Sequence, residues 1–118
     1  MSDLKVMPEE SRNVKRIGHS DVNGWGDAFQ VIVRDEKWCY LSASGMEGHE
    51  GTSILDVEDP ANPKVVKQIE APTGTHSHKV LFLDDVMIVN TEQIRGWEGE
   101  GFLGEIRLFD ASDPANPK

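Results

Sequence analysis

Short apolar runs separated by polar turns extend along most of this chain, and none of them has the spacing of a helix. Residues 52–57 alternate apolar and polar side chains, which is the period-two pattern of a strand with one covered face. The other runs are rich in β-branched and aromatic residues and are bounded by charged or glycine-containing turns. They predict further strands at 14–17, 28–33, 38–42, 65–69, 79–83, 86–90 and 106–109. The pattern therefore predicts an all-β protein.

A phrase of the sequence occurs twice. Residues 54–64 read ILDVEDPANPK and residues 108–118 read LFDASDPANPK, at an offset of 54 residues. The strands around the phrase also match in character between the two copies. Repeats with a period near 50 residues are typical of propellers, solenoids and arrays.

The repeat unit indicates a β-propeller blade, which is one antiparallel sheet of about four short strands. A β-sandwich also has many short strands, but it does not predict a near-verbatim repeat. We expect a flexible leader at 1–13 and a partial propeller over 14–118, with one repeat at about 28–71 and a truncated one at about 79–118.

The number of repeats predicts the partners of the chain. A closed propeller needs about 4–8 blades, and this sequence provides about two. Uncovered blades are prone to aggregate. We therefore expect an N-terminal fragment whose partners are the remaining blades of a longer chain, or a short protein that self-associates.

The repeated phrase predicts a rigid turn between the third and fourth strands of each blade. Each proline lacks a backbone N–H and holds the residue before it in an extended conformation. An aspartate that ends the strand can accept backbone N–H groups of the turn. The predicted turn residues are Asp56, Asp59, Pro60, Pro63, Asp110, Asp113, Pro114 and Pro117.

The repeated phrase also carries a resemblance to a known family. Residues 53–64 and their second copy resemble the LVIVD repeat of bacteria and archaea, in which a strand core of the type Leu-x-Ile-x-Asp-Val precedes Asp-Pro-x-x-Pro. Residues 13–24 resemble the opening of LVIVD-repeat proteins, so the resemblance covers residues 13–118. It implies a β-propeller but no particular reaction. A more distant similarity, to the selenium-binding protein and methanethiol oxidase group, implies metal-binding histidines near the propeller axis.

Charge and hydropathy narrow the classes of partner. The net charge of −9 argues against nucleic-acid binding, which needs a basic face. No apolar run approaches the roughly 18–20 residues that span a bilayer, so we expect no membrane partner. The polar, acidic N-terminus does not resemble a secretory signal, and a cytoplasmic location is expected.

Three histidines are candidate metal ligands. His76 and His78 are separated by one residue at the entry to a predicted strand, where alternate side chains point to the same side. His19 precedes the equivalent strand of the preceding repeat. Imidazoles that converge at the mouth of a propeller channel suit Zn, Cu, Fe or Ni, so the cofactor would be a transition metal. The alternative is that these are loop histidines that hydrogen-bond to turns.

Two glycine-rich loops occupy equivalent positions in the two repeats, at 48–51 and 95–101, and each contains an acidic residue. Such loops commonly carry binding functions. Trp97, His49 and Glu50 are therefore candidate contacts for a ligand or partner. The alternative for Trp97 is that it packs over the edge of a blade.

These features leave three hypotheses for the function. The first is a binding module that uses the loop face or the channel mouth. The second is a metal-dependent oxidoreductase with histidine ligands, and the third is a structural scaffold. A propeller fold does not decide among them.

Overall fold

The computed structural model describes residues 10–45, 48–101 and 104–118, and it is an all-β protein, as predicted. A single 3-10 turn at Val22–Gly24 precedes the strands. The strands are β1 (Ala28–Arg34), β2 (Trp38–Ser44), β3 (Glu50–Asp56), β4 (Lys64–Glu70), β5 (Thr75–His76), β6 (Val80–Leu83), β7 (Val86–Gln93) and β8 (Gly104–Asp110).

The strands form two antiparallel sheets. Sheet 1 has the order β1-β2-β3-β4, so each strand pairs with the next one along the chain. In sheet 2, β8 pairs along one edge of β7, and β5 and β6 pair along the other edge. β5 and β6 are thus two parts of one strand, interrupted at residues 77–79. Sheets of consecutive short antiparallel strands are typical of propeller blades.

The pairing registers show the repeat in three dimensions. Trp38 at the start of β2 pairs with Asp56 at the end of β3, and Val86 at the start of β7 pairs with Asp110 at the end of β8. The loop between these strands is longer in sheet 2 than in sheet 1. The insertion leaves the ladder unchanged, because loops tolerate added length better than paired strands do.

The core lies between the two sheets. Tyr40 and Ile54 of sheet 1 pack against Val80 and Met87 of sheet 2, and all four are fully buried. The Tyr40 ring also meets Phe82 edge-on, with ring centroids 4.6 Å apart. Each sheet therefore buries one apolar face against the other.

The repeated turns have the same hydrogen bonds in both copies. Asp56 Oδ1 accepts the N–H of Glu58 at 3.0 Å, and Asp110 Oδ1 accepts the N–H of Ser112 at 2.9 Å. These are the bonds predicted for the two aspartates. Further along each turn, Asp59 and Asp113 accept the N–H of the second residue that follows them, Ala61 and Ala115 respectively.

The second turn also joins the two sheets, a contact that the sequence pattern does not predict. Tyr40 donates its hydroxyl proton to the backbone carbonyl of Pro114 at 2.8 Å. Lys67 of β4 donates to Asn116 Oδ1 and to the carbonyl of Pro117. Pro117 itself is fully buried. The phrase is therefore both a turn and a contact between sheets.

The segment before β1 covers part of the outer face of sheet 1. The backbone at Gly18 lies so close to the first repeated turn that a Cβ there would meet the carbonyl oxygen of Pro60 at 2.0 Å. Further along, Val22 and Trp25 are buried against Ala43. No strand lies between residues 10 and 27, so the strand predicted at 14–17 is wrong. Residues 1–9 of the predicted leader are outside the described ranges.

Within the described ranges, the chain has no helix with both the length and the apolar character needed to cross a bilayer.

Candidate metal centre and adjacent cleft

Three side chains from sheet 2 converge where β5 gives way to β6. His76 ends β5 and pairs in register with Glu92 of β7, so their side chains emerge side by side. His78 lies in the interruption between β5 and β6. His76 Nε2 is 3.0 Å from Glu92 Oε1, and His78 Nδ1 is 2.6 Å from the same oxygen. One carboxylate oxygen therefore faces two imidazole nitrogens.

Neighbouring groups orient both imidazoles. Ser44 Oγ, at the end of β2, lies 2.9 Å from Nδ1 of His76, which leaves Nε2 directed at Glu92. The ring of Phe29 on β1 packs against His78 with centroids 4.4 Å apart, and the two imidazole rings are 4.3 Å apart. Sheet 1 thus positions the ligand atoms of sheet 2. A polar contact to the second nitrogen of an imidazole is the usual way in which proteins orient a metal-binding histidine.

These three residues have a donor set that fits a transition metal. One donor atom from each residue lies within 4.8 Å of the other two. Two ligands at about 2.0–2.1 Å from one ion can lie roughly 3 Å apart, which is close to the observed spacing. Three protein ligands leave coordination positions open, as in catalytic zinc sites and the two-histidine, one-carboxylate iron sites.

The third predicted ligand, His19, is not in this cluster. It follows Gly18, which contacts Pro60 in the turn after β3. That turn lies at the end of sheet 1 opposite Ser44, because Ser44 pairs with Glu50 at the start of β3. A strand of this length extends roughly 20 Å, so His19 cannot share an ion with His76.

Glu92 was missed because its place depends on the register between β5 and β7. The turn between β6 and β7 sets one register, but the pairing shifts across the interruption at 77–79. The sequence carries no direct signal of that shift. The indication that the sequence did offer was an acidic residue on the strand next to the two histidines.

A cleft of about 550 Å³ lies beside the cluster. Gly74 and Ile94 line it, and the N–H of Ile94 donates to the carbonyl of Gly74, which continues the pairing of β5 with β7. Gly45, directly after Ser44, lines it from sheet 1. The cleft therefore adjoins the cluster along the same strands.

Two of the three predicted loop contacts line this cleft. Glu50, the first residue of β3, and Trp97 are both part of its lining. His49 is exposed and its ring stacks loosely with Trp25, at a centroid distance of 6.4 Å. The indole of Trp97 lies against the backbones of Gly74 and Gly99, so it packs over the edge of sheet 2 while it lines the cleft.

Two buried polar atoms of the cleft have no hydrogen-bond partner in the part of the chain that the structure describes. They are Oε1 of Glu50 and Nε1 of Trp97. The other carboxylate oxygen of Glu50 accepts the N–H of His49 at 3.1 Å. Buried polar groups are nearly always paired, so each exception calls for an explanation.

No family model matches the chain, and no curated protein matches it at a significant level. The resemblance to the LVIVD repeat therefore stays an expectation from the sequence.

Proposed function

We propose that the chain is a ligand-binding module formed by two blades of an LVIVD-type β-propeller, and that its ligand is a divalent transition-metal ion. The ion would be held by His76, His78 and Glu92. One observation carries the proposal: a donor atom from each of these residues lies within 4.8 Å of the others.

The donor types select the class of metal. Imidazole nitrogen suits Zn, Cu, Fe and Ni, whereas Ca and Mg prefer sites made of oxygen ligands. Ser44 and Phe29 support the proposal because they hold both rings in place through sheet 1. A site with fixed ligands loses less conformational entropy when the ion binds.

Cobalt(II) titration tests this function. Its visible absorption reports both stoichiometry and coordination, and we expect one ion per chain. His76→Ala, His78→Ala and Glu92→Gln should each weaken binding by at least about tenfold, because even outer contacts of metal sites change affinity by that factor. His19→Ala is the matched control and should bind cobalt as the unmodified chain does.

Two results would contradict the proposal. One is an absence of stoichiometric binding, which would favour the scaffold hypothesis. The other is an equal loss of affinity in His19→Ala, because His19 lies at the far end of sheet 1.

A metal-dependent oxidoreductase is the second candidate. Two histidines and one carboxylate with open positions are the donor set of non-haem iron oxygenases, and the adjacent cleft has room for a substrate. Nitric oxide added to the anaerobic, Fe(II)-loaded protein tests for an open position by electron paramagnetic resonance. An unchanged spectrum would favour the binding module.

We also propose that the partner of sheet 2 is a further sheet of the same repeat. Its outer face exposes apolar side chains, among them Leu81, Leu83 and Leu108. Leu81 is the repeat equivalent of Ile32, and Leu108 of Ile54, and both of those residues pack against sheet 2. Among the described residues nothing covers this face, and in the isolated 118-residue chain only a second copy can supply a sheet.

The net charge of −9 supports a protein partner over nucleic acid. The cytoplasmic location stays a prediction.

A further inference from the structure

The cleft beside the cluster contains a buried carboxylate with an unused acceptor. Glu50 is only 6% exposed and lines the cleft, and no described residue donates a hydrogen bond to its Oε1. Burying such an oxygen unpaired is costly, and most of that cost is recovered when a donor reaches it. A cationic donor is favoured, because charge-assisted hydrogen bonds are roughly twice as strong as neutral ones.

Trp97 contributes a donor to the same cleft. Its Nε1 is buried and has no hydrogen-bond partner among residues 10–45, 48–101 and 104–118. A Cβ at Gly74 would meet the indole ring at 2.7 Å, and one at Gly99 would meet it at 2.3 Å, so a side chain at either position would displace the ring. The ring therefore packs directly on both backbones, and its N–H is open to an acceptor from the ligand. The indole also favours a nearby cation.

We propose that this cleft binds a small organic cation: a protonated amine with an apolar body and a neighbouring hydrogen-bond acceptor. The ammonium group bonds Glu50 Oε1, and the acceptor takes the proton of Trp97 Nε1. This site is distinct from the metal cluster, and the proposal does not depend on metal binding.

Size and lining agree with a ligand of this class. A volume of about 550 Å³ falls within the range of small-molecule sites, which is roughly 300–1,000 Å³. Ile94 and several glycines provide an apolar lining for the body of the ligand. Arg95 and Glu98 also line the cleft, but both are exposed, so water screens their charges more than that of Glu50.

A matched pair of probes tests the proposal on the unmodified chain. Phenylalaninol has an amine, a hydroxyl and a phenyl group, and 3-phenyl-1-propanol is nearly the same molecule without the amine. Each would be titrated into ¹⁵N-labelled protein, with the three tryptophan indole signals as reporters. The signal of Trp97, assigned by its loss in Trp97→Phe, should move with phenylalaninol, and the signals of Trp25 and Trp38 should stay. The affinity for 3-phenyl-1-propanol should be weaker by on the order of tenfold.

Variants test whether recognition of the amine depends on Glu50. Glu50→Gln should weaken phenylalaninol binding on the order of tenfold and leave the weak binding of 3-phenyl-1-propanol unchanged. Glu98→Gln is the control, since it removes an exposed acid from the same cleft and should change affinity little. His78→Ala should bind phenylalaninol normally, which separates this site from the metal cluster.

The proposal is overturned if both probes bind equally, since the cleft would then recognise only the apolar body. It is also overturned if neither binds, or if Glu98→Gln has the larger effect. The probe pair needs no substitution, so these results remain decisive even if Glu50→Gln fails to fold.

Discussion

Asp59 and Asp110 show how single side chains stabilise the repeated turn. The carboxylate of Asp59 accepts hydrogen bonds from Asn62 and from the N–H of Ala61, and these lower its pKa below 3.8. Hydrogen bonds from Ser112 lower the pKa of Asp110 in the same way. A carboxylate bound by donors in the fold is protonated less readily than in the unfolded chain.

The sign of the resulting pH dependence follows from the depressed pKa values. The stabilisation is present above the unfolded pKa, near 3.8, and is lost as the pH falls through the lower folded values. In Asp59→Asn combined with Asp110→Asn, this part of the acid sensitivity should disappear. Urea unfolding between about pH 5 and pH 2 measures it, with Asp84→Asn as a control for charge in another turn. Equal acid sensitivity in the double variant and the unmodified chain would contradict the prediction.

Residues with local roles were predictable from the sequence, and residues with roles set by tertiary contacts were not. The bonds of Asp56 and Asp110 lie within their own turns, so the order of residues was enough. His76 and His78 were paired by strand alternation, although their use as metal ligands stays a prediction. The position of Glu92 beside the two histidines depends on a shift in strand register, and the burial of Glu50 depends on the neighbouring strands.

At the level of elements, the second repeated turn is part of the interface between the sheets. Tyr40 is fully buried, and its hydroxyl donates to the carbonyl of Pro114. Tyr40→Phe keeps the ring in the core but leaves that carbonyl without its donor. We expect a loss of about 1–2 kcal/mol in the free energy of unfolding, measured in urea. Val33→Ala, on an exposed part of sheet 1, is the control and should cost about 0.5 kcal/mol or less. If Tyr40→Phe also lowers the free energy of unfolding by only about 0.5 kcal/mol or less, the hydrogen bond from the Tyr40 hydroxyl contributes little to stability.

The strands after residue 27 were predicted, except for the two-residue β5, because each of the others has an apolar face and a turn at both ends. The exception at 14–17 has a physical reason. Val14 and Ile17 are exposed and no described strand pairs with residues 14–17, whereas a strand needs a partner for its backbone groups. An apolar run alone does not reveal whether such a partner exists. The interruption of the first strand of sheet 2 also left no mark in the sequence pattern.

At the scale of the whole molecule, the two sheets differ in how their outer faces are covered. The segment before β1 covers part of the outer face of sheet 1, where Val22 and Trp25 pack on Ala43. The outer face of sheet 2 has no such cover within the described ranges, and Leu83 and Leu108 on it are each 66% exposed. Because Ile32 and Ile54, the repeat equivalents of Leu81 and Leu108, pack against sheet 2, we infer that this face is suited to pack against another sheet.

The isolated chain should therefore self-associate through sheet 2. We expect sedimentation velocity to show larger species as concentration rises, and Leu83→Lys combined with Leu108→Lys to weaken association about a hundredfold, since each leucine contributes roughly 1.5 kcal/mol or more when buried. The variant should stay folded because both side chains are exposed. Val14→Lys removes a similarly exposed apolar residue from the segment before β1 and is the control. A chain that stays monomeric at high concentration, or a control that dissociates as the double variant does, would show that this face does not mediate association.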